Sequence, residues 1–98
     1  MLQMLLIHAK YLDEDFRLVQ GDIEIEDGII LRVGKDLPRK EEDLAVDCAG
    51  SYTVVPGFVD VHIHGCAGAD TCDATREALK AMAAFLLAHG VTSFCPTT

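Results

Sequence analysis

His62 and His64 stand two residues apart in the run Pro56-Gly57-Phe58-Val59-Asp60-Val61-His62-Ile63-His64-Gly65. Side chains alternate faces along a strand, so this pair of imidazoles points one way, with Asp60 one step further back. Two imidazoles on one face at a strand end can hold a single metal ion, and borderline metals such as Zn²⁺ favour this ligand. The chemistry this serves is metal-assisted hydrolysis, in which a cation polarises a carbonyl and activates water. Stable catalytic zinc takes three protein ligands, so His62 and His64 alone form a weak, exchange-labile pair. Seen in isolation, two such histidines also read as ordinary core or surface residues. Asp60 lies ~6.5 Å back along the strand, too far to ligate directly. It can orient the imidazoles or serve the scaffold, and the second role is preferred.

The element that must position the pair is a strand from Phe58 to Ile63. It is almost continuously apolar apart from Asp60, as strands buried on both faces are. A Gly- and Ala-rich loop follows. Asp73 or Thr75 then caps a helix, with Glu77 in its first turn facing the positive end of the dipole. Leu79, Met82, Ala83, Leu86 and Leu87 recur at helical spacing, as the face turned toward the strands. Gly90 sits where a glycine follows a helix C-terminus. Val91 to Cys95 reads as a second strand. Strand, helix, strand makes a βαβ unit with parallel strands.

Residues 1–50 read as short strands. Met4 to Leu12 is the first, Arg17 to Val19 and Asp22 to Glu26 follow, and Asp27-Gly28 supplies a type I′ turn into Ile29 to Val33. Ile23 and Ile25 alternating with Glu24 and Glu26 mark a half-exposed sheet. Gly34 to Asp43 is a polar loop containing Pro38, and Tyr52 to Val55 is a further strand. A boundary in the Gly50–Pro56 stretch separates residues 1–55 from 56–98.

The formal net charge is −8, which argues against a nucleic-acid partner, because phosphate neutralisation needs clustered Lys and Arg. The acidic runs (13–15, 24–27 and 41–43) read as solvated turns and strand edges. No apolar run approaches the ~20 residues of a membrane span. The start, Met1 to Ile7, lacks the basic segment and small-residue cleavage site of a secretion signal. Cys48, Cys66, Cys72 and Cys95 form no CxxC pair, so a reduced, cytoplasmic protein is expected and a Cys₄ zinc site is not. Cys66 lies within reach of a metal held by His64 but reads as a bystander thiol. His8 and His89 read as structural, and the Gly65–Asp73 loop carries no phosphate-cradle signature.

The Pro-Gly-x-x-Asp-x-His-x-His run resembles the opening barrel strand of the amidohydrolase superfamily. Gly65-Cys66-Ala67-Gly68-Ala69-Asp70-Thr71-Cys72-Asp73-Ala74-Thr75 resembles the loop that follows it in the N-acetylglucosamine-6-phosphate deacetylase family. His89-Gly90-Val91-Thr92-Ser93-Phe94 and Pro96-Thr97-Thr98 resemble that family's second barrel strand. The resemblance is strong over 54–98 and weak over 1–50.

It implies an α/β fold: the first βαβ unit of a (β/α)₈ TIM barrel in 56–98, preceded in 1–55 by the N-terminal strands of a small β-sandwich domain. A complete barrel takes roughly 250 residues, so the chain corresponds to about the first quarter of such a protein. It implies a divalent metal ion (Zn, Fe or similar) held by His62 and His64 near the barrel mouth. No catalytic residue falls within the chain, because the other ligands and the catalytic Asp lie on later strands. The implied reaction is deacetylation of a phosphorylated amino sugar, N-acetylglucosamine 6-phosphate, by a cytoplasmic enzyme. Alternatives are an N-acetylgalactosamine-6-phosphate deacetylase, a cyclic amidase, or a non-catalytic fragment that pairs with itself as a homodimer. The 98-residue chain alone is expected to be inactive.

Overall fold

The computed structural model describes residues 3–98. They fall into two compact units, one ending at Val55 and the other beginning at Pro56. Met1 and Leu2, the first residues of the stretch read for a secretion signal, lie outside the described residues. The whole is mixed α/β and mostly strand.

In the first unit, aliphatic residues at alternating positions build three antiparallel strands: β1 (Gln3–Leu12), β2 (Leu18–Glu26) and β3 (Ile29–Gly34). Asp27 and Gly28, with φ of 51° and 79°, form the tight turn between β2 and β3, as a two-residue I′ hairpin requires. Two short strands, β4 (Leu44–Asp47) and β5 (Thr53–Val54), run parallel to β1. The sheet order is β3-β2-β1-β4, with β5 also pairing β1. Leu5, Ala9, Ile23 and Cys48 are its buried apolar residues.

Three expectations change here. The stretches read at 17–19 and 22–26 form one strand, which starts at Leu18 and not Arg17, because Gln20 and Gly21 pair with Lys10 and Ala9. Gly21 reads as a break since glycine weakens strand interiors. In the fold β3 comes so close that a Cβ at Gly21 would lie 2.8 Å from the Gly34 carbonyl oxygen. Second, β4 has no local signature, because its pairing with β1 is distant in sequence. Third, Glu24 is not on a solvated edge: it is 5% exposed and paired with the Arg32 guanidinium and the Gln3 amide. Such partners offset the cost of burying a carboxylate.

β1 also carries a bulge, in which Ile7 and His8 stand opposite the single residue Asp22. His8 takes a left-handed φ of 54°. The buried Asp22 carboxylate accepts the His8 N–H at 3.1 Å and the Leu37 N–H at 3.0 Å. A disrupted ladder thus leaves no orphaned donor there.

In the second unit β6 (Phe58–Ile63) pairs in parallel with β9 (Val91–Pro96), and α1 (Arg76–Ala88) connects them in sequence. Between β6 and α1 lie a two-stranded hairpin, β7 (Gly65–Cys66) with β8 (Ala69–Asp70), and a 3₁₀ turn at Thr71–Asp73. Thr75 caps α1, its hydroxyl accepting the Ala78 N–H at 3.1 Å. Asp73 does not cap this helix; it belongs to the 3₁₀ turn. His89 ends α1, and Gly90 follows with φ of 86°, the C-terminal arrangement read from the sequence.

The helix buries one row, Ala78, Met82 and Leu86, at i, i+4, i+8 spacing. Leu79 and Leu87 from the expected stripe are exposed, at 41% and 64%. One strand pair and a small hairpin cover one row of a helix, not a broad face. The same holds for β6. Phe58, Val59 and Val61 are exposed, so this strand is not buried on both faces within its unit.

Candidate metal centre

His62 is the next-to-last residue of β6 and His64 stands just beyond the strand's end. Their alternation brings both rings to one side. The two Nε2 atoms lie 3.2 Å apart, with the rings edge-on at 77° and centroids 4.9 Å apart. Two imidazole nitrogens at ~2.0–2.1 Å from one tetrahedral Zn²⁺ would be about 3.3–3.4 Å apart. The observed separation fits two nitrogens aimed at one cation. It also suits a single N–H···N hydrogen bond between the rings, which a cation displaces on binding. Both residues are exposed, so a ligand can reach them.

The backbone under the pair is held in an unusual way. The β6–β9 register shifts between Asp60 and Ile63, at His62, and pairing resumes at Ile63 and Pro96, with His64 just beyond. Local ties supplement the ladder. The Asp60 carboxylate accepts the His62 N–H at 3.1 Å, so Asp60 acts on the main chain under the ligand and not on a ring. The Thr97 N–H donates to the Ile63 carbonyl at 2.8 Å, and the Thr71 N–H donates to the His64 carbonyl at 2.8 Å.

Among the described residues no third His, Cys, Asp or Glu joins the two histidines in a metal-holding group. The Cys66 thiol is turned to the Met82 carbonyl, at 3.8 Å, as a bystander would be. Asp70 holds the exposed Cys72 thiol above its ordinary pKa, chiefly through a hydrogen bond and then through its charge. His89 places Nδ1 2.8 Å from the Phe85 carbonyl, so that nitrogen donates and the residue closes the helix end.

His8 has more around it than its sequence neighbours indicate. Its Nδ1 lies 3.0 Å from the Asp47 carboxylate, a contact made possible by the bulge and by β4, neither legible locally. Asp47 raises the His8 pKa, first by this hydrogen bond and then by its charge. Asp47 is lowered in turn, first by the Ala49 N–H and then by His8. The Thr71 and Thr97 amides were not singled out from the sequence either. The acid pair Asp70 and Asp73, three residues apart, was the available signal, since such spacing marks a capping box.

No helix among the described residues is long and apolar enough to cross a membrane. Residues 53–98 match the model of the amidohydrolase family. The chain is 37% identical over 78 residues to an N-acetylglucosamine-6-phosphate deacetylase of Bacillus subtilis, covering 80% of this chain and 20% of that protein. Among solved structures it is similar to an N-acetyl-D-glucosamine-6-phosphate deacetylase variant from Mycobacterium smegmatis in complex with N-acetyl-D-glucosamine-6-phosphate. That likeness has a TM-score of 0.75 at 33% identity and covers 97% of this chain and 24% of the other. The N-acetylglucosamine-6-phosphate deacetylase of Thermotoga maritima matches with a TM-score of 0.73 at 36% identity, over 97% of this chain and 23% of that one. The chain thus spans about a fifth to a quarter of the length of the relatives it matches. Residues 53–98 thus carry the amidohydrolase family's match, and over most of its length the chain is similar to N-acetylglucosamine-6-phosphate deacetylases.

Proposed function

We propose that this chain supplies the first two metal ligands, His62 and His64, of an enzyme that deacetylates N-acetylglucosamine 6-phosphate. The reaction adds water across the acetamide and yields acetate and the free amine of glucosamine 6-phosphate. The observation that carries it is the convergence of the two Nε2 atoms at 3.2 Å, at the end of a strand in the segment matched by the amidohydrolase family. The substrate is supported by the similar Mycobacterium smegmatis protein, whose complex holds that compound.

When bound, a divalent cation such as Zn²⁺ or Fe²⁺ supplies the Lewis acidity that polarises the amide carbonyl and favours deprotonation of water. His62 and His64 hold it through Nε2. Asp60 fixes the His62 backbone, and the Thr71 and Thr97 amides fix the carbonyls on either side of His64. Residues 56–98 serve as the opening strand, helix and strand of a TIM barrel, and residues 1–55 as the first strands of a β-sandwich domain. Further ligands and the proton-transferring carboxylate come from outside residues 1–98. The four free cysteines suit a reduced, cytoplasmic setting. For residues 1–98 on their own, exposed Val59 and Val61 and the open strand edges suit self-association as a homodimer, which sedimentation velocity reads directly.

The test is acetate release from N-acetylglucosamine 6-phosphate by the full natural polypeptide carrying this chain, with divalent metal supplied. Release that collapses on changing His62 and His64 to Ala is the expected result. Release that survives the double change removes the two histidines from the working site, and no release at all refutes the substrate.

A further inference from the structure

The nine residues after His64 form a closed clip. Gly65 and Cys66 pair with Asp70 and Ala69. Ala67 and Gly68 make the turn with φ of 54° and 76°, the doubly positive pattern of a I′ hairpin, for which glycine at the second position is favoured. Asp70 then opens the 3₁₀ turn. Its carboxylate accepts the Cys72 N–H at 2.7 Å, while the Asp73 carboxylate accepts the Asp70 N–H at 2.9 Å. Each acid satisfies a donor that the other's segment leaves open, the reciprocal logic of a capping box. There is no slack at the base of the clip either. A Cβ on Gly65 would lie 2.3 Å from the Ala69 carbonyl oxygen and 3.0 Å from the Asp70 Cα.

This closed turn aims one amide backward. The Thr71 N–H meets the His64 carbonyl at 2.8 Å, while the Thr97 N–H holds the preceding carbonyl, that of Ile63, at the same distance. These carbonyls belong to the two peptide planes that flank the His64 Cα. Fixing both planes fixes φ and ψ of His64, and with them the direction of its Cα–Cβ bond. The strand ladder supplies only the Thr97 tie, at its last pair Ile63–Pro96; His64 lies beyond the end of β6, so the second plane depends on the clip.

We propose that the Gly65–Asp73 clip, locked by Asp70 and Asp73, is the positioning device that turns His64 toward His62, through the Thr71 amide. Asp70 is a positioning residue in this scheme and touches no metal. The proposal rests on the metal-centre reading above. It assigns to the loop a role as a backbone brace, in place of contact with substrate.

The test is Zn²⁺ binding to the full chain by titration calorimetry, with the Co²⁺ absorption spectrum as a geometric readout and helical circular dichroism as the fold control. Asp70→Ala removes the cap and is expected to weaken Zn²⁺ binding about 10–100-fold, as loss of ligand-orienting groups does. It should also shift the Co²⁺ bands while α1 stays intact. Asp70→Asn keeps a capping oxygen and is expected to bind close to the unsubstituted chain. Gly65→Ala strains the same clip from its other side and should weaken binding independently of any charge, which covers the case in which Asp70→Ala fails to fold. Unchanged affinity in both Asp70→Ala and Gly65→Ala overturns the proposal, as does an Asp70→Asn chain that binds as weakly as Asp70→Ala. If Zn²⁺ binding to the unsubstituted chain is indifferent to His62→Ala and His64→Ala, the metal centre itself is refuted, and the clip's role with it. That failure is visible before any clip variant is made.

Discussion

Met82 is the side chain on which the second unit depends. It is fully buried, in the middle of the row Ala78, Met82, Leu86 on α1, and its carbonyl takes the Cys66 thiol of the hairpin. Met82→Ala removes three heavy atoms. At ~0.8 kcal/mol per methylene-sized group the lost transfer energy is about 2.4 kcal/mol, and an uncollapsed cavity takes the total into the ~2–5 kcal/mol range of such truncations. A unit of roughly 40 residues at ~0.05–0.15 kcal/mol per residue holds about 2–6 kcal/mol in all. The substitution therefore removes most of the unit's stability, and with it the convergence of His62 and His64. Met82→Leu conserves volume and should cost less than about 1.5 kcal/mol. α1 is the α-helix of the described residues, so ellipticity at 222 nm during a urea titration follows this unit. Hydrogen exchange at the α1 amides gives the same quantity by an independent route. A Met82→Ala chain that loses less than ~1 kcal/mol refutes the view that this single buried row carries the unit.

Two other consequences are open to measurement. A Cβ at Gly57 would lie 2.1 Å from the Thr92 hydroxyl and 2.7 Å from the Thr92 Cβ. Gly57→Ala should therefore cost on the order of 1–3 kcal/mol by overpacking, and Thr92→Gly in the same chain should recover part of it; strict additivity in urea titrations would show that the two do not meet. For the His8–Asp47 pair, His8 titrates above its ordinary value of 6.5 and Asp47 below 3.8. The His8 contribution is thus full below about pH 6.5 and fades as pH rises through its folded pKa, whereas the Asp47 contribution is full above about pH 3.8 and fades as pH falls through its folded pKa. The pair is strongest between those limits. Its size is that of an exposed, salt-screened contact, so the check is an NMR titration: a His8 pKa that does not fall in Asp47→Asn removes the pair as the cause.

What could be read from the sequence is what local periodicity encodes. The β6 span from Phe58 to Ile63, the Thr75 cap, Glu77 in the first helical turn and the Asp27-Gly28 turn all rest on neighbours a few residues apart. Features that rest on distant partners were invisible. Glu24 reads as solvated until Arg32 and Gln3 are brought to it. β4 carries no strand signal of its own until β1 lies beside it. His8 has no partner until a bulge turns it toward Asp47.

The histidine pair lies on the boundary between these two cases. Period two dictates that His62 and His64 share a face, and that much needs no fold. A shared face, however, leaves the rings free to diverge over several ångströms through backbone twist. A separation of 3.2 Å requires the main chain at 62–64 to be fixed just where the β6–β9 ladder is irregular and then ends. The sequence encodes that fixing at three separate places: Asp60 within the strand, the Asp70–Asp73 clip behind it, and Thr97 at the end of the next strand. Two of these ties are backbone amides, to which residue identity is almost irrelevant, and they exist only because the clip and β9 are correctly folded. The His-x-His spacing thus names the ligands, while the groups that make them converge are spread from Asp60 to Thr97 and must be read from the fold.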